Sequence, residues 1–277
     1  WGHIVSDDLI HWKQMPVALA PEPGIDQEGV WSGDAVKDDG TLSLLYTGVD
    51  GARATVGLAT ADDPLGHSFT KVPDNPVIDG RPTGESFMDF RDPYAWKDDD
   101  TWHMLIGAGV GNVGGTALLY KSDDLHEWEY LEPLMTGERA SSGYFWEMPI
   151  LIEFENRALF GVTEMPGRNS YWLGQWEEEK FIAEQKEPTR LEVINHYLSP
   201  TVTRDDKGRW VAIGIVPETR SSEEQIKAGW AHAYGFPRVW WLEDDNIVRQ
   251  KPAEEIKKLR RNHFSRERIT VAANEQH

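Results

Sequence analysis

The 277-residue sequence contains no cysteine. That excludes disulfides and thiolate metal sites and leaves the redox compartment open. It has no apolar run near twenty residues, so no transmembrane helix is expected. The first residues, Trp1-Gly2-His3-Ile4-Val5, carry neither a basic nor a long apolar stretch, and no secretory leader is visible. Positive charge is scarce: 28 Lys and Arg stand against 47 Asp and Glu, for a net charge of −19. Such a surface repels phosphate backbones and anionic lipid, so neither nucleic acid nor membrane is an expected partner. A neutral ligand suits it better, although the same charge also serves plain solubility. The nine histidines form no His-x-x-x-His or Glu-x-x-His set, so no metal site is expected. A phosphate-cradling glycine loop is lacking too. Gly107-Ala108-Gly109-Val110-Gly111 follows a strand pattern with no helix behind it and reads as a loop at one face of the fold. No cofactor is expected.

What the sequence does have is tryptophan, 13 in all. Cores use some of these, and carbohydrate sites use aromatic faces against sugar C–H surfaces. It also has a repeat. Trp31-Ser32-Gly33-Asp34-Ala35-Val36, the turn Lys37-Asp38-Asp39-Gly40 and the apolar Leu42–Gly48 set the layout. The same order of strand, acidic or Gly-containing turn and strand returns from Phe90, Phe145 and Tyr197. The starts at 31, 90, 145 and 197 lie 59, 55 and 52 residues apart. A second element, Ser6-Asp7-Asp8-Leu9-Ile10-His11-Trp12, recurs as Ser122-Asp123-Asp124-Leu125-His126-Glu127-Trp128, with a looser copy at Thr60–Pro64. This period is that of a β-propeller blade, whereas a β-sandwich would show closer turns and no unit repeat. Residues 1–16 carry only the closing part of a blade. Four openings plus one lacking predict an all-β, five-bladed β-propeller with an incomplete first blade, spanning residues 1–255. Near the C-terminus, Gly229–Trp241 reads as a strand pair and Pro252–Arg261 as a short helix, with basic residues in its last turn.

Innermost strands of a propeller line its axis, so residues at successive openings converge. The openings carry Asp34, Asp92 and Glu147. Two carboxyls flanking a glycosidic bond are what glycoside hydrolysis needs, one of them held protonated. Glu147, between Trp146 and Met148, is the candidate acid; a strand-edge glutamate is the plain alternative. Asp92 lies between Arg91 and Pro93 and is either a held carboxylate or a turn residue. Asp34 either joins the funnel or only bonds a turn.

Phe90-Arg91-Asp92-Pro93 and Trp146-Glu147-Met148-Pro149 resemble two signature motifs of glycoside hydrolase family 32, the β-fructofuranosidases that include invertases, inulinases and levanases. Trp1–Trp12, Pro16–Pro21 and Trp31-Ser32-Gly33-Asp34 continue the resemblance. It implies Glu147 as general acid/base and Asp92 as transition-state stabiliser, with Arg91 beside it. Trp31, Ser32, Asp34 and Trp146 would bind substrate, a sucrose- or fructan-type carbohydrate. It also implies an Asp nucleophile in a Trp-Met-Asn-Asp-Pro-Asn-Gly motif. No such motif occurs here. It is expected upstream of Trp1, on the strands that the blade count lacks, which would leave this chain inactive alone. Residues 256–277 would be a linker helix and the start of a C-terminal β-sandwich. Departures are Met148 for a usual Cys, Asp34 for a usual Ser, Ile215 for a frequent Trp, and a loose Asn195–Pro200. Two alternatives stay open: an arabinanase- or xylosidase-type propeller of families 43 or 62, and a non-catalytic sugar-binding propeller.

Overall fold

The computed structural model describes residues 1–83, 86–192 and 196–265. Asn195, and residues 266–277 of the expected β-sandwich start, lie outside the described residues. The chain opens with a two-stranded ribbon, β1 (Ile4–Val5) and β2 (Lys13–Gln14). Blade one follows as β3 (Gly29–Asp38), β4 (Thr41–Asp50), β5 (Arg53–Ala61) and β6 (Phe69–Lys71). Blade two is β7 (Phe87–Asp98), β8 (Thr101–Val110), β9 (Gly114–Ser122) and β10 (Glu129–Thr136), closed by the short helix α1 (Arg139–Ser142). Blade three is β11 (Trp146–Phe154), β12 (Arg157–Glu164), β13 (Arg168–Glu177) and β14 (Lys180–Ala183), with β15 (Thr189–Arg190) also on β13. Blade four is β16 (Leu198–Arg204), β17 (Trp210–Val216), β19 (Arg238–Leu242) and β20 (Val248–Pro252). Between β17 and β19 stand α2 (Ser222–Ala228) and β18 (Ala233–Tyr234).

All ladders are antiparallel, and the acidic turns explain their registers. In blade one, Asp38 pairs with Thr41, so Asp39-Gly40 is a two-residue loop. Both residues have positive φ, 43° and 86°, the conformation a type I′ hairpin demands. The second strands β4, β8 and β12 are buried almost end to end. Neighbouring blades cover both their faces, which is why they read as apolar runs rather than alternations. The first strands β3, β7, β11 and β16 lie against one another in turn. This is a propeller-like arrangement. The Ser-Asp-Asp-Leu elements also prove equivalent in structure. Asp8 Oδ1 accepts from the amides of Ile10 and His11 at 3.0 and 2.9 Å, and Asp124 Oδ1 accepts from those of His126 and Glu127 at 2.8 and 3.0 Å.

Three expectations need correction. The described residues form four blades, not five, because residues 1–16 contribute only two dipeptide strands that pair with each other. The expected loop Gly107–Gly111 is strand as far as Val110. Glycine is needed there for space: a Cβ on Gly107 would stand 2.3 Å from the carbonyl oxygen of Trp146, in the next blade. The strand pair expected over Gly229–Trp241 is not a hairpin, since β18 and β19 each pair with β17. The short C-terminal helix is present as a 3₁₀ turn, Glu254–Leu259.

Candidate active site

Each innermost strand breaks register near its opening: β3 between Trp31 and Gly33, β7 on both sides of Arg91, β11 between Glu147 and Ile150, and β16 between Leu198 and Thr201. A bulge leaves a residue without a ladder partner and re-aims its side chain. Asp92, Met148 and Ser199 occupy these bulges with φ of 60°, 47° and 49°. That region is costly for residues other than glycine and is held only where surroundings enforce it.

The bulge turns Asp92 into the seam between blades. Asp92 is 6% exposed. Its Oδ2 accepts from the backbone amide of Met148 at 3.0 Å, gripping the peptide that follows Glu147. Its own amide donates to Thr47 Oγ1 at 2.9 Å, and that hydroxyl donates to the carbonyl of Ser32 at 3.0 Å. One chain of bonds therefore runs from blade one through Asp92 to blade three. Arg91 works alongside. Its Nη1 lies 3.3 Å from Glu147 Oε1, and its Nη2 donates to Asp89 Oδ1 at 2.7 Å. Its guanidinium is stacked between Trp31 and Phe145, 5.1 and 4.7 Å from their ring centres, a geometry that suits arginine's planar, weakly hydrated cation.

Both carboxyls are held above their ordinary range. Burial is the main cause for Asp92, and the Glu147 charge adds to it; the Met148 amide and Arg91 oppose, and the result is about 6. Burial also raises Glu147, with Arg91 opposing and Asp89 contributing. A half-buried carboxyl whose hold on its proton is strengthened is suited to donate it, and a second carboxyl beside it is suited to face positive charge.

The residues singled out from the sequence do not all converge here. Arg91, Asp92 and Glu147 do, and Trp31, 44% exposed, joins them through Arg91. Ser32 is exposed beside Trp31, and its carbonyl anchors Thr47. Asp34 lies further down the seam. Its Oδ1 accepts from the Ala35 amide at 2.8 Å and its Oδ2 from the Ala95 amide at 3.0 Å, tying blade one to blade two. Enclosure raises it to about 7. Trp146 requires correction. It has no exposed surface, packs at tilted angles against Phe160 and Trp172, and donates through Nε1 to the Ser142 carbonyl at 2.7 Å. A substrate cannot reach it, and it supports Glu147 from beneath. Thr47, Asp89, Phe145 and the Met148 amide were not foreseen. Only Asp89 had a signal, since it stands two residues before Arg91 on one strand. Among the described residues, no group of three or more His, Asp or Glu is placed to hold a metal. No helix among them is long and apolar enough to cross a membrane.

Known proteins resemble this chain in sequence and in fold. The chain is 34% identical to a sucrose-6-phosphate hydrolase of Bacillus subtilis, over 95% of this chain and 58% of that protein. It is 33% identical to an insoluble β-fructofuranosidase isoenzyme of Arabidopsis thaliana, over 94% of this chain and 52% of the relative. Among solved structures, fructan 1-exohydrolase IIa from Cichorium intybus in complex with 1-kestose superposes with a TM-score of 0.84 at 30% identity, over 95% of this chain and 54% of that one. A Bombyx mori family 32 β-fructofuranosidase in complex with sucrose gives 0.81 at 30% identity, over 95% and 58%. The chain thus spans little more than half the length of these relatives. Residues 1–252 match the N-terminal domain of glycosyl hydrolases family 32, and the chain belongs to that family.

Proposed function

We propose that the protein hydrolyses β-fructofuranosyl bonds in sucrose or fructans with retention. The observation that carries this is the pairing of a half-buried Glu147, whose pKa is raised by burial, with a buried Asp92, joined through Arg91 and the Met148 amide. Glu147 gives its proton to the leaving oxygen as an Asp nucleophile attacks the anomeric carbon and the glycosidic C–O bond breaks. Water then attacks the fructosyl–Asp ester, returning its proton to Glu147 and releasing fructose. Asp92, ionised above about pH 6, faces the positive charge that develops on the ring. Trp31 and Ser32 line the sugar site beside Arg91. No step needs a cofactor. Membership of family 32 sets aside the arabinanase and xylosidase types.

The nucleophile belongs, on this reading, to a fifth blade of which β1 and β2 form the outer pair. A cleft of about 1060 Å³ between the ribbon and blade four supports it. Ile4, Leu9, Trp12, Val211, Ile213 and Phe236 line it, an apolar surface suited to cover by further strands. Residues 1–255 would form the catalytic propeller, and 256–277 the linker to a second domain.

The test compares fructose release from sucrose and inulin by the full-length protein and its Glu147→Gln form, with arabinan alongside. Loss of about 10²-fold or more on fructosides is expected. Hydrolysis of arabinan but not fructosides would overturn the reading.

A further inference from the structure

Arg91 serves two carboxylates, and it lies closer to the one that the proposed reaction does not use. Its Nη2 donates to Asp89 Oδ1 at 2.7 Å, whereas its Nη1 reaches Glu147 Oε1 at 3.3 Å. A guanidinium with a single acid beside it does otherwise. Its planar fork of N–H donors fits one carboxylate in bidentate fashion, with two parallel bonds to the two oxygens. Such a clamp favours the ionised carboxylate, which a proton donor has to avoid.

The fold supplies the competitor. Strand β7 breaks register between Met88 and Arg91, so Asp89 has no partner on the ladder, and its φ of 57° lies outside the extended range. Stacking between Trp31 and Phe145 keeps the guanidinium in place beside both acids. With one branch on Asp89, the arginine meets Glu147 through one N–H and at one oxygen, Oε1. Charge works in the same direction: Asp89 raises the hold of Glu147 on its proton, against Arg91, which weakens it. The other charged groups at this end are Asp92 on β7 and Glu164 on β12, and Arg168 engages Glu164. Strands β8, β9 and β16 bring only apolar, glycine and hydroxyl residues here.

On the fructosyl-hydrolase reading above, we propose that Asp89 is a positioning residue for the general acid. By occupying one branch of the Arg91 guanidinium it confines that cation to a single bond with Glu147, so that Glu147 donates its proton up to a higher pH than Arg91 alone would allow. Asp89 acts through Arg91 and touches no reacting atom.

The pH dependence of kcat/KM for sucrose hydrolysis by the full-length protein tests this, since its basic limb reports the essential acid of the free enzyme. Asp89→Asn suits the site, because asparagine tolerates positive φ and keeps an acceptor for Arg91 while removing the charge. Its basic limb should move down by about half a pH unit, and that of Asp89→Ala, which also frees the branch, by about one unit. On the falling limb these shifts are losses of about threefold and tenfold. Asp89→Glu, which keeps the charge, should hold the limb near that of wild type. A basic limb left in place in both the Asn and Ala forms overturns the proposal and leaves the fructosyl reading standing. A loss of equal size at every pH with a raised KM also overturns it, since Asp89 would then be a sugar contact. So does a limb displaced equally in Asp89→Glu, because the shift would not come from a shared arginine. If wild type releases no fructose from sucrose, the fructosyl reading fails and the proposal with it.

Discussion

Replacing Asp92 by Asn should make the protein more stable at neutral pH. The buried carboxyl titrates at about 6 rather than its ordinary 3.8. Between those values the unfolded chain has released the proton and the folded chain retains it. Folded protein then binds more protons, so its stability falls as pH rises from about 4 to about 6. A shift of roughly two units at about 1.4 kcal/mol each makes the cost near 3 kcal/mol at pH 7. Asn resembles the protonated carboxyl, and its Oδ1 can still accept from the Met148 amide that Asp92 holds at 3.0 Å. The variant should therefore gain about 2–3 kcal/mol at pH 7, change little at pH 4, and lose the downward slope between them. Urea denaturation followed by tryptophan fluorescence at pH 4, 5, 6 and 7 measures this. A variant less stable than wild type at pH 7, or one that keeps the slope, would refute the assignment of Asp92 as a charge maintained against the fold.

Four further substitutions separate support from contact. Trp146→Ala should cost about 3–5 kcal/mol because a fully buried indole is removed from packed neighbours. Trp31→Ala should cost under about 1 kcal/mol, since the residue is 44% exposed, yet weaken sugar binding; calorimetric melting and sugar titration together check the pair. Gly107→Ala should destabilise by several kcal/mol, or push β11 aside, because its Cβ meets the Trp146 carbonyl at 2.3 Å; urea midpoints and fructose release report the two outcomes. Thr47→Val should cost about 1–3 kcal/mol by orphaning the buried Asp92 amide, and unchanged stability would mean that the amide has another partner.

Much of this architecture was visible in the chain because the propeller repeats its punctuation. Acidic turns mark the first hairpins, Asp39-Gly40, Asp99-Asp100, Glu155-Asn156 and Asp205–Gly208, and Ser-Asp-Asp-Leu recurs at residues 6–9 and 122–125. The pairing of Asp92 with Glu147 was legible from blade phase alone. What phase could not tell was direction. Alternation would put Trp146 and Met148 on one side and Glu147 on the other, but the register break after Glu147 and the positive φ of Met148 decide what each faces. So Trp146 went to the core instead of the sugar. The sequence left the place of Asp34 open for a related reason: its partner, the Ala95 amide, is 61 residues away and carries no side-chain signature. Thr47 was invisible on the same ground, as an ordinary strand threonine whose hydroxyl crosses to another blade.

The interrupted rung shared by the four inner strands has a consequence for how such a protein changes. A residue there has no opposite number across the ladder, so its chemistry can be exchanged without disturbing sheet pairing. Asp92 holds the spot in one blade and Met148 in the next, with Glu147 just before it; blade four has Ser199, whose amide is already engaged by Asn169 Oδ1 at 3.1 Å. New specificities can thus arise at one address per blade while the strands that hold the wheel together stay as they are.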